Sequence, residues 1–201
     1  MIAIIDYGAG NIKSLQFALT KLNLDSCLTT DKETIQSSRA IIVPGVGAFK
    51  DAMDAITELD LADTLQQAAA AGKPILGICL GMQLFYEKSY ENGNWNGLGL
   101  LKGEVKRIND SVKVPHMGWN TLSKLKQDQL FTNIDDESYV YFVHSYQVAT
   151  FEEDTLLGST QYGGLVPAIV KKDNIIGMQF HPEKSGETGL QLLKNFGEMI
   201  S

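Results

Sequence analysis

A cysteine stands between two glycines in "GICLGMQLF", residues 77–85, where an apolar run gives way to a helical pattern. Most free cysteines are small buried hydrophobes, and reactivity requires an electropositive, partly exposed setting. Gly-x-Cys-x-Gly at a strand-to-helix junction supplies one. In a nucleophile elbow the side chain is pushed out at the strand's carboxyl end on a strained turn, and glycines are needed because neighbouring side chains would collide. Cys79 is therefore expected to be exposed at the carboxyl edge of a sheet, where open α/β sheets hold ligands. The helix that follows aims its positive N-terminal end at the sulfur, and the Leu80 amide falls where an oxyanion donor is wanted.

Acyl transfer by such a sulfur also needs a base that protonates the leaving amine, and a group that holds the base in the right tautomer. Of the 3 histidines, His181 in "MQFHPEKS" follows a strand pattern and has a carboxylate two residues on. Pro182 keeps the chain extended, and in an extended chain residues i and i+2 project to one side. Glu183 is then expected to orient the His181 imidazole, with Cys79 on its far side. His144 has no carboxylate near it in sequence and reads as a partly buried structural histidine. On these residues alone, an amidotransferase that serves another synthase, a stand-alone cysteine hydrolase, or a non-catalytic binding module with Cys79 buried stays open.

Two other chemistries are set aside. The 2 cysteines and 3 histidines are scattered without metal-ligand spacing. "GAGNIK" at residues 8–13 begins like a dinucleotide fingerprint but has Lys13 where that motif needs glycine. No metal, nucleotide or other cofactor is expected.

The elements that must position these residues follow from periodicity. Short β-branched runs alternate with amphipathic helical patterns through the first half: "IAIIDYG" and "AIIVPG" read as strands, and "NIKSLQFALTKL" as a helix with Ile12, Leu15, Leu19 and Leu22 on one face. Residues 51–71 read as one helix stopped by Gly72 and Pro74, with "ILGI" a buried strand beyond it. After Tyr90 a Gly- and Asn-rich loop leads into β-type segments, of which "AIVKK" and "IIGMQF" form a hairpin across "DN", and a final helix carries Leu190, Leu193, Phe196 and Ile200. The expected fold is α/β: a mostly parallel open sheet flanked by helices in a flavodoxin-like three-layer arrangement, with a small antiparallel sheet or hairpin. Residues 1–201 are read as a single domain.

A net charge of -7 and a pI near 4.9 argue against nucleic acid or an anionic membrane as the main partner. Met1 runs straight into a strand pattern with no secretory signal, and Cys27 and Cys79 make a poor disulfide framework. The expected compartment is the cytoplasm, with both thiols free.

Gly-x-Cys-x-Gly-x-Gln, with "FHPE" about a hundred residues later, resembles the class I (triad) glutamine amidotransferases. "DYGAGN", "VPGVGAF", "VPHMGWN" and "YFVHSY" resemble, within that family, the glutaminase branch that serves imidazole glycerol phosphate synthase. The resemblance covers essentially the whole chain. It implies that Cys79 attacks the glutamine side-chain amide, His181 releases ammonia, and water resolves the thioester. The ammonia would pass to a TIM-barrel cyclase subunit in a heterodimer, giving imidazole glycerol phosphate and an aminoimidazole carboxamide ribonucleotide in histidine biosynthesis. By the same resemblance, an amide at Val46 or Gly47 would be the second oxyanion donor, and Gln83, Ser145 and Tyr146 would bind substrate. Met117, Trp119 and Asn120 would face the cyclase.

Overall fold

The computed structural model describes residues 1–200. In chain order its first half comprises β1 (Ile2–Ile5), α1 (Ile12–Lys21), β2 (Ser26–Thr29), α2 (Lys32–Ser37), β3 (Ala40–Val43), α3 (Phe49–Glu58), α4 (Ala62–Ala70), β4 (Ile75–Ile78) and α5 (Leu80–Leu84). The second half adds β5 (Lys88–Ser89), β6 (Trp95–Asn96), β7 (Gly103–Arg107), β8 (His116–Lys124), β9 (Ser138–His144), β10 (Tyr146–Phe151), β11 (Leu156–Gln161), β12 (Leu165–Lys172), β13 (Ile175–Met178) and α6 (Gly186–Met199).

The main sheet has the order β2-β1-β3-β4-β13-β12-β11-β8-β9. From β2 to β13 every pairing is parallel, in the pattern of doubly wound sheets. Beyond β13 the sheet continues with antiparallel pairings out to β9. The β12–β13 hairpin turns at Asp173 and Asn174 as the pattern predicts, with Asp173 at φ 52°. A second, small sheet has the order β10-β7-β5-β6.

Helices and the small sheet cover both faces because the central strands are buried on both. Along β1, Ala3 and Ile5 join one core cluster with Phe49, Leu65 and Val105, while Ile2 and Ile4 join the other with Leu15, Leu193 and Phe196. Among the described residues no helix is long and apolar enough to cross a membrane.

One expected element is corrected. Residues 51–71 are two helices, α3 and α4, separated at Asp60, which adopts φ 53°. Ile56, Leu61 and Leu65 are all fully buried. The five-residue step from Ile56 to Leu61 does not fit a helical stripe, so the chain turns to bring Leu61 inward. Aspartate tolerates the left-handed conformation this requires.

Candidate active site

Three neighbouring parallel strands bring the sequence-predicted groups to one edge. Val43 lies opposite Gly77, and Ile78 opposite Met178, so β3, β4 and β13 end level with one another. The segments that leave these ends carry Pro44 to Gly47, Cys79, and Gln179 to Glu183.

Cys79 sits at φ 54° and ψ −110°, a conformation that costs an L-residue about 1–3 kcal/mol. The fold over-determines it: the Cys79 amide donates to the Met178 carbonyl at 2.7 Å, and the Cys79 carbonyl accepts from the amides of Met82 at 3.1 Å and Gln83 at 3.3 Å. Both elbow glycines are sterically required. A Cβ on Gly81 would lie 1.8 Å from the Val43 carbonyl oxygen, and one on Gly77 would lie 2.7 Å from the Gly81 carbonyl.

Contrary to the expectation of an exposed sulfur, Cys79 is only 5% exposed. Its Sγ lies 3.7 Å from the Val143 carbonyl and 3.8 Å from Gln179 Nε2. Val143 belongs to β9, and the cover it provides comes from the antiparallel half of the sheet, which the elbow motif does not encode.

His181 Nδ1 is 2.9 Å from Glu183 Oε1, with both side chains 2% exposed. An ionised carboxylate only accepts, so Nδ1 carries the proton and Nε2 is left toward the reacting groups. The pair forms by a route other than the extended chain expected. Pro182–Lys184 is a 3-10 turn, with the Lys184 amide and the Ser185 hydroxyl both donating to the His181 carbonyl, at 3.0 and 2.6 Å. Proline suits the first position of such a turn because its φ is preset and it lacks the amide that would go unpaired.

Burial alone would lower the His181 pKa, but hydrogen bonds and charge from Cys79 and Glu183 outweigh it and push the pKa up to about 10. A second group holds the carboxylate: Asn11 Nδ2 donates to the same Oε1 at 3.2 Å. Asn11 is the N-cap of α1, yet its side chain makes no capping bond there.

The oxyanion elements are arranged differently from the simple expectation. The Leu80 amide donates to the Gly45 carbonyl at 3.4 Å. The preceding carbonyl, of Pro44, accepts from the buried Tyr7 hydroxyl. Burial, with the charge of Cys79 adding to it, pushes the Tyr7 hydroxyl well above the ordinary phenol range.

A cavity of about 330 Å³ opens on Cys79 and is lined also by Val46, Gly47, Leu80, Gln83, Glu91, Val143, His144, Ser145 and Tyr146. His181 and Glu183 do not line it. Gln83 is 4% exposed, and its amide donates to the Tyr146 carbonyl at 2.8 Å and to Gln179 Oε1 at 3.0 Å. The Glu91 carboxylate caps α3 by accepting from the Phe49 amide at 2.8 Å, and partial burial raises its pKa above the usual carboxylate range.

Met117 and Trp119 alternate along β8 and are 62% and 55% exposed, beside Tyr139 at 60%. Asn120 points the other way: its amide donates to the Gln161 carbonyl at 3.1 Å and meets His116 Nε2 at 3.2 Å. Among the described residues there is no cluster of three or more potential metal ligands.

Sequence alone singles out no individual role for Tyr7, Asn11, Glu91, Gln179 or His116. Strand alternation puts Gln179 on the same side as His181, which was a usable signal. Glu91 lies in a loop with no pattern, and Tyr7 and Asn11 meet their partners only through the tertiary fold.

The family "Glutamine amidotransferase class-I" matches residues 3–199. "Imidazole glycerol phosphate synthase subunit HisH" of Oceanobacillus iheyensis is 66% identical over 200 residues, covering 100% of both chains. The protein of the same name from Bacillus cytotoxicus is 50% identical, covering 100% of this chain and 95% of its own. Among solved structures, a glutamine amidotransferase superposes with a TM-score of 0.79 at 19% identity, covering 99% of this chain and 98% of its own. PurLQS from Thermotoga maritima superposes with a TM-score of 0.78 at 22% identity, covering 100% and 98%. Those two structures establish the fold; the full-length identity establishes more, and the chain belongs to the class I glutamine amidotransferase family, within its group of HisH subunits.

Proposed function

We propose that Cys79, His181 and Glu183 hydrolyse the side-chain amide of glutamine to glutamate and ammonia. The observation that carries this reading is the strained elbow cysteine beside a buried His181–Glu183 pair, which stands just beyond the end of the next parallel strand. The Cys79 sulfur attacks the amide carbon, His181 gives a proton to the departing ammonia, and a glutamyl thioester remains. His181 then takes a proton from the water that attacks the thioester, which releases glutamate and restores the sulfur. Glu183 holds the imidazole in its Nδ1–H form throughout.

Substrate would occupy the cavity that opens on Cys79, with Gln83, Ser145 and Tyr146 on its wall. Glu91 supplies the carboxylate that an α-ammonium group calls for. Leu80 and one amide at Val46 or Gly47 would hold the oxyanion, which requires the Gly45 carbonyl to leave the Leu80 amide.

HisH-group membership assigns the chain to the imidazole glycerol phosphate synthase of histidine biosynthesis as its glutaminase subunit. The ammonia then goes to a TIM-barrel cyclase subunit, docked on the face that carries Met117 and Trp119. Reaction in the cytoplasm suits two unpaired thiols and a metabolite-fed pathway.

Mass spectrometry after incubation with a diazo-ketone analogue of glutamine tests the reading. A single adduct on Cys79 is expected, suppressed by excess glutamine and absent from Cys79→Ala. An adduct that persists in Cys79→Ala, or none even with the cyclase and its ligand present, would overturn it.

A further inference from the structure

Two buried histidines outside the triad face each other across the β8–β9 ladder, where His116 pairs in register with His144. They are 3% and 6% exposed. The His116 ring is stacked between Phe142, at 4.6 Å and 20°, and Tyr162, at 3.9 Å and 16°, so its plane is fixed. His116 Nδ1 lies 2.9 Å from His144 Nε2, and His144 Nδ1 lies 2.9 Å from the Tyr146 carbonyl.

The direction of these bonds follows from the groups at either end. The Tyr146 carbonyl can only accept, so His144 Nδ1 carries a proton. A neutral His144 then has a bare Nε2, and His116 must donate to it from Nδ1, which leaves His116 Nε2 bare. At the other end, Asn120 Oδ1 accepts from the Thr121 amide at 2.8 Å and Nδ2 donates to the Gln161 carbonyl at 3.1 Å. That fixes the amide with its nitrogen toward His116 Nε2, which is 3.2 Å away. Two independent ends therefore impose one direction on the same chain. Burial keeps both rings neutral, pulling His116 down to about 4 and His144 to about 3.

The chain ends on the candidate pocket. The Tyr146 carbonyl also accepts from Gln83 Nε2 at 2.8 Å, and Gln83 Nε2 donates further to Gln179 Oε1 at 3.0 Å. Both amide hydrogens of Gln83 are thus engaged within the chain, leaving its carbonyl oxygen as the group that meets a ligand.

We propose that His116 and His144 are positioning residues of the glutamine site: neutral imidazoles locked in the Nδ1–H form that carry a one-way hydrogen-bond chain from Asn120 to the Tyr146 carbonyl, and through it orient the Gln83 amide. The proposal rests on the reading of this cavity as the glutamine pocket. His144 lines the cavity, and the hydrogen bonds of both rings go to each other, to Asn120 and to the Tyr146 carbonyl rather than to Cys79 or His181.

Long-range nitrogen–proton correlation spectra of the full chain at neutral pH test the chain of bonds without any variant. Both rings are expected as neutral Nδ1–H tautomers, and an Nε2–H or charged form at either would overturn the proposal. Glutamine kinetics with the cyclase subunit present test the role. His144→Leu is expected to raise KM about tenfold with little change in kcat, as loss of one orienting hydrogen bond would. In His144→Asn an amide nitrogen takes the place of Nδ1, and most of the loss should be recovered. A wild-type KM in His144→Leu, or no recovery in His144→Asn, would remove the positioning role. Failure of the unsubstituted complex to turn over glutamine would instead bring down the pocket assignment on which the proposal rests, whatever the tautomers show.

Discussion

His181 is held between the Cys79 sulfur and a buried carboxylate, and this determines how the site responds to pH. Its pKa is raised from an ordinary 6.5 to about 10, so the ring stays protonated through the neutral range and can protonate departing ammonia there. Because the folded value lies above the unfolded one, the pair's contribution to stability is complete below about 6.5 and is lost as pH rises through about 10. The pH profile of kcat/KM should accordingly hold on the alkaline side until about 10. Glu183→Gln removes one of the two charges that raise the pKa and should bring that limb to lower pH. A limb unmoved by Glu183→Gln would mean that the carboxylate does not act on His181. The Cys79 elbow and the His181–Glu183 contact were legible in the sequence, because an elbow cysteine and a His-x-Glu after a strand are local patterns. Asn11, 172 positions from Glu183, was not, since only the fold brings its amide to the carboxylate.

The elbow depends on how closely β4 and α5 pack against β3. Gly81 lies where a methyl group would meet the Val43 carbonyl at 1.8 Å, a backbone atom that cannot swing aside as a side chain can. Gly81→Ala should therefore displace α5 and destabilise the chain by about 3 kcal/mol or more, read from denaturant unfolding. A variant of wild-type stability would mean that the β3 loop yields at little cost. Strand and helix placement were readable wherever burial is periodic, as in β1, β3 and β4. The pattern misled at residues 51–71, where helical propensity runs on but the five-residue step from Ile56 to Leu61 forces a turn. It misled again at Pro182, where extended geometry was expected and a 3-10 turn produces the same His–Glu contact by different means.

Over the whole molecule, two features bear on how the site would be switched on: the Gly45 carbonyl holds the Leu80 amide, and Met117, Trp119 and Tyr139 are exposed. A site whose oxyanion donor is engaged within the chain, in a molecule that also carries an aromatic-rich exposed face, suits an enzyme that becomes active when a partner docks. Glutamine turnover by the chain alone should be lower than with the cyclase subunit and its nucleotide ligand by about a hundredfold, the size of one missing oxyanion donor. Equal rates would sink the coupling. Sequence by itself determined the fold class and singled out Cys79, His181 and Glu183 as the residues of the proposed site, because each is written in short-range spacing and in the 2.0 and 3.6 periodicities of strand and helix. Tertiary structure decided how deeply Cys79 is buried, which carbonyl holds the Leu80 amide, and that His116 and His144 form one chain. Those depend on strands far apart in sequence meeting in one register, and no local pattern encodes which backbone group will face which side chain once they do.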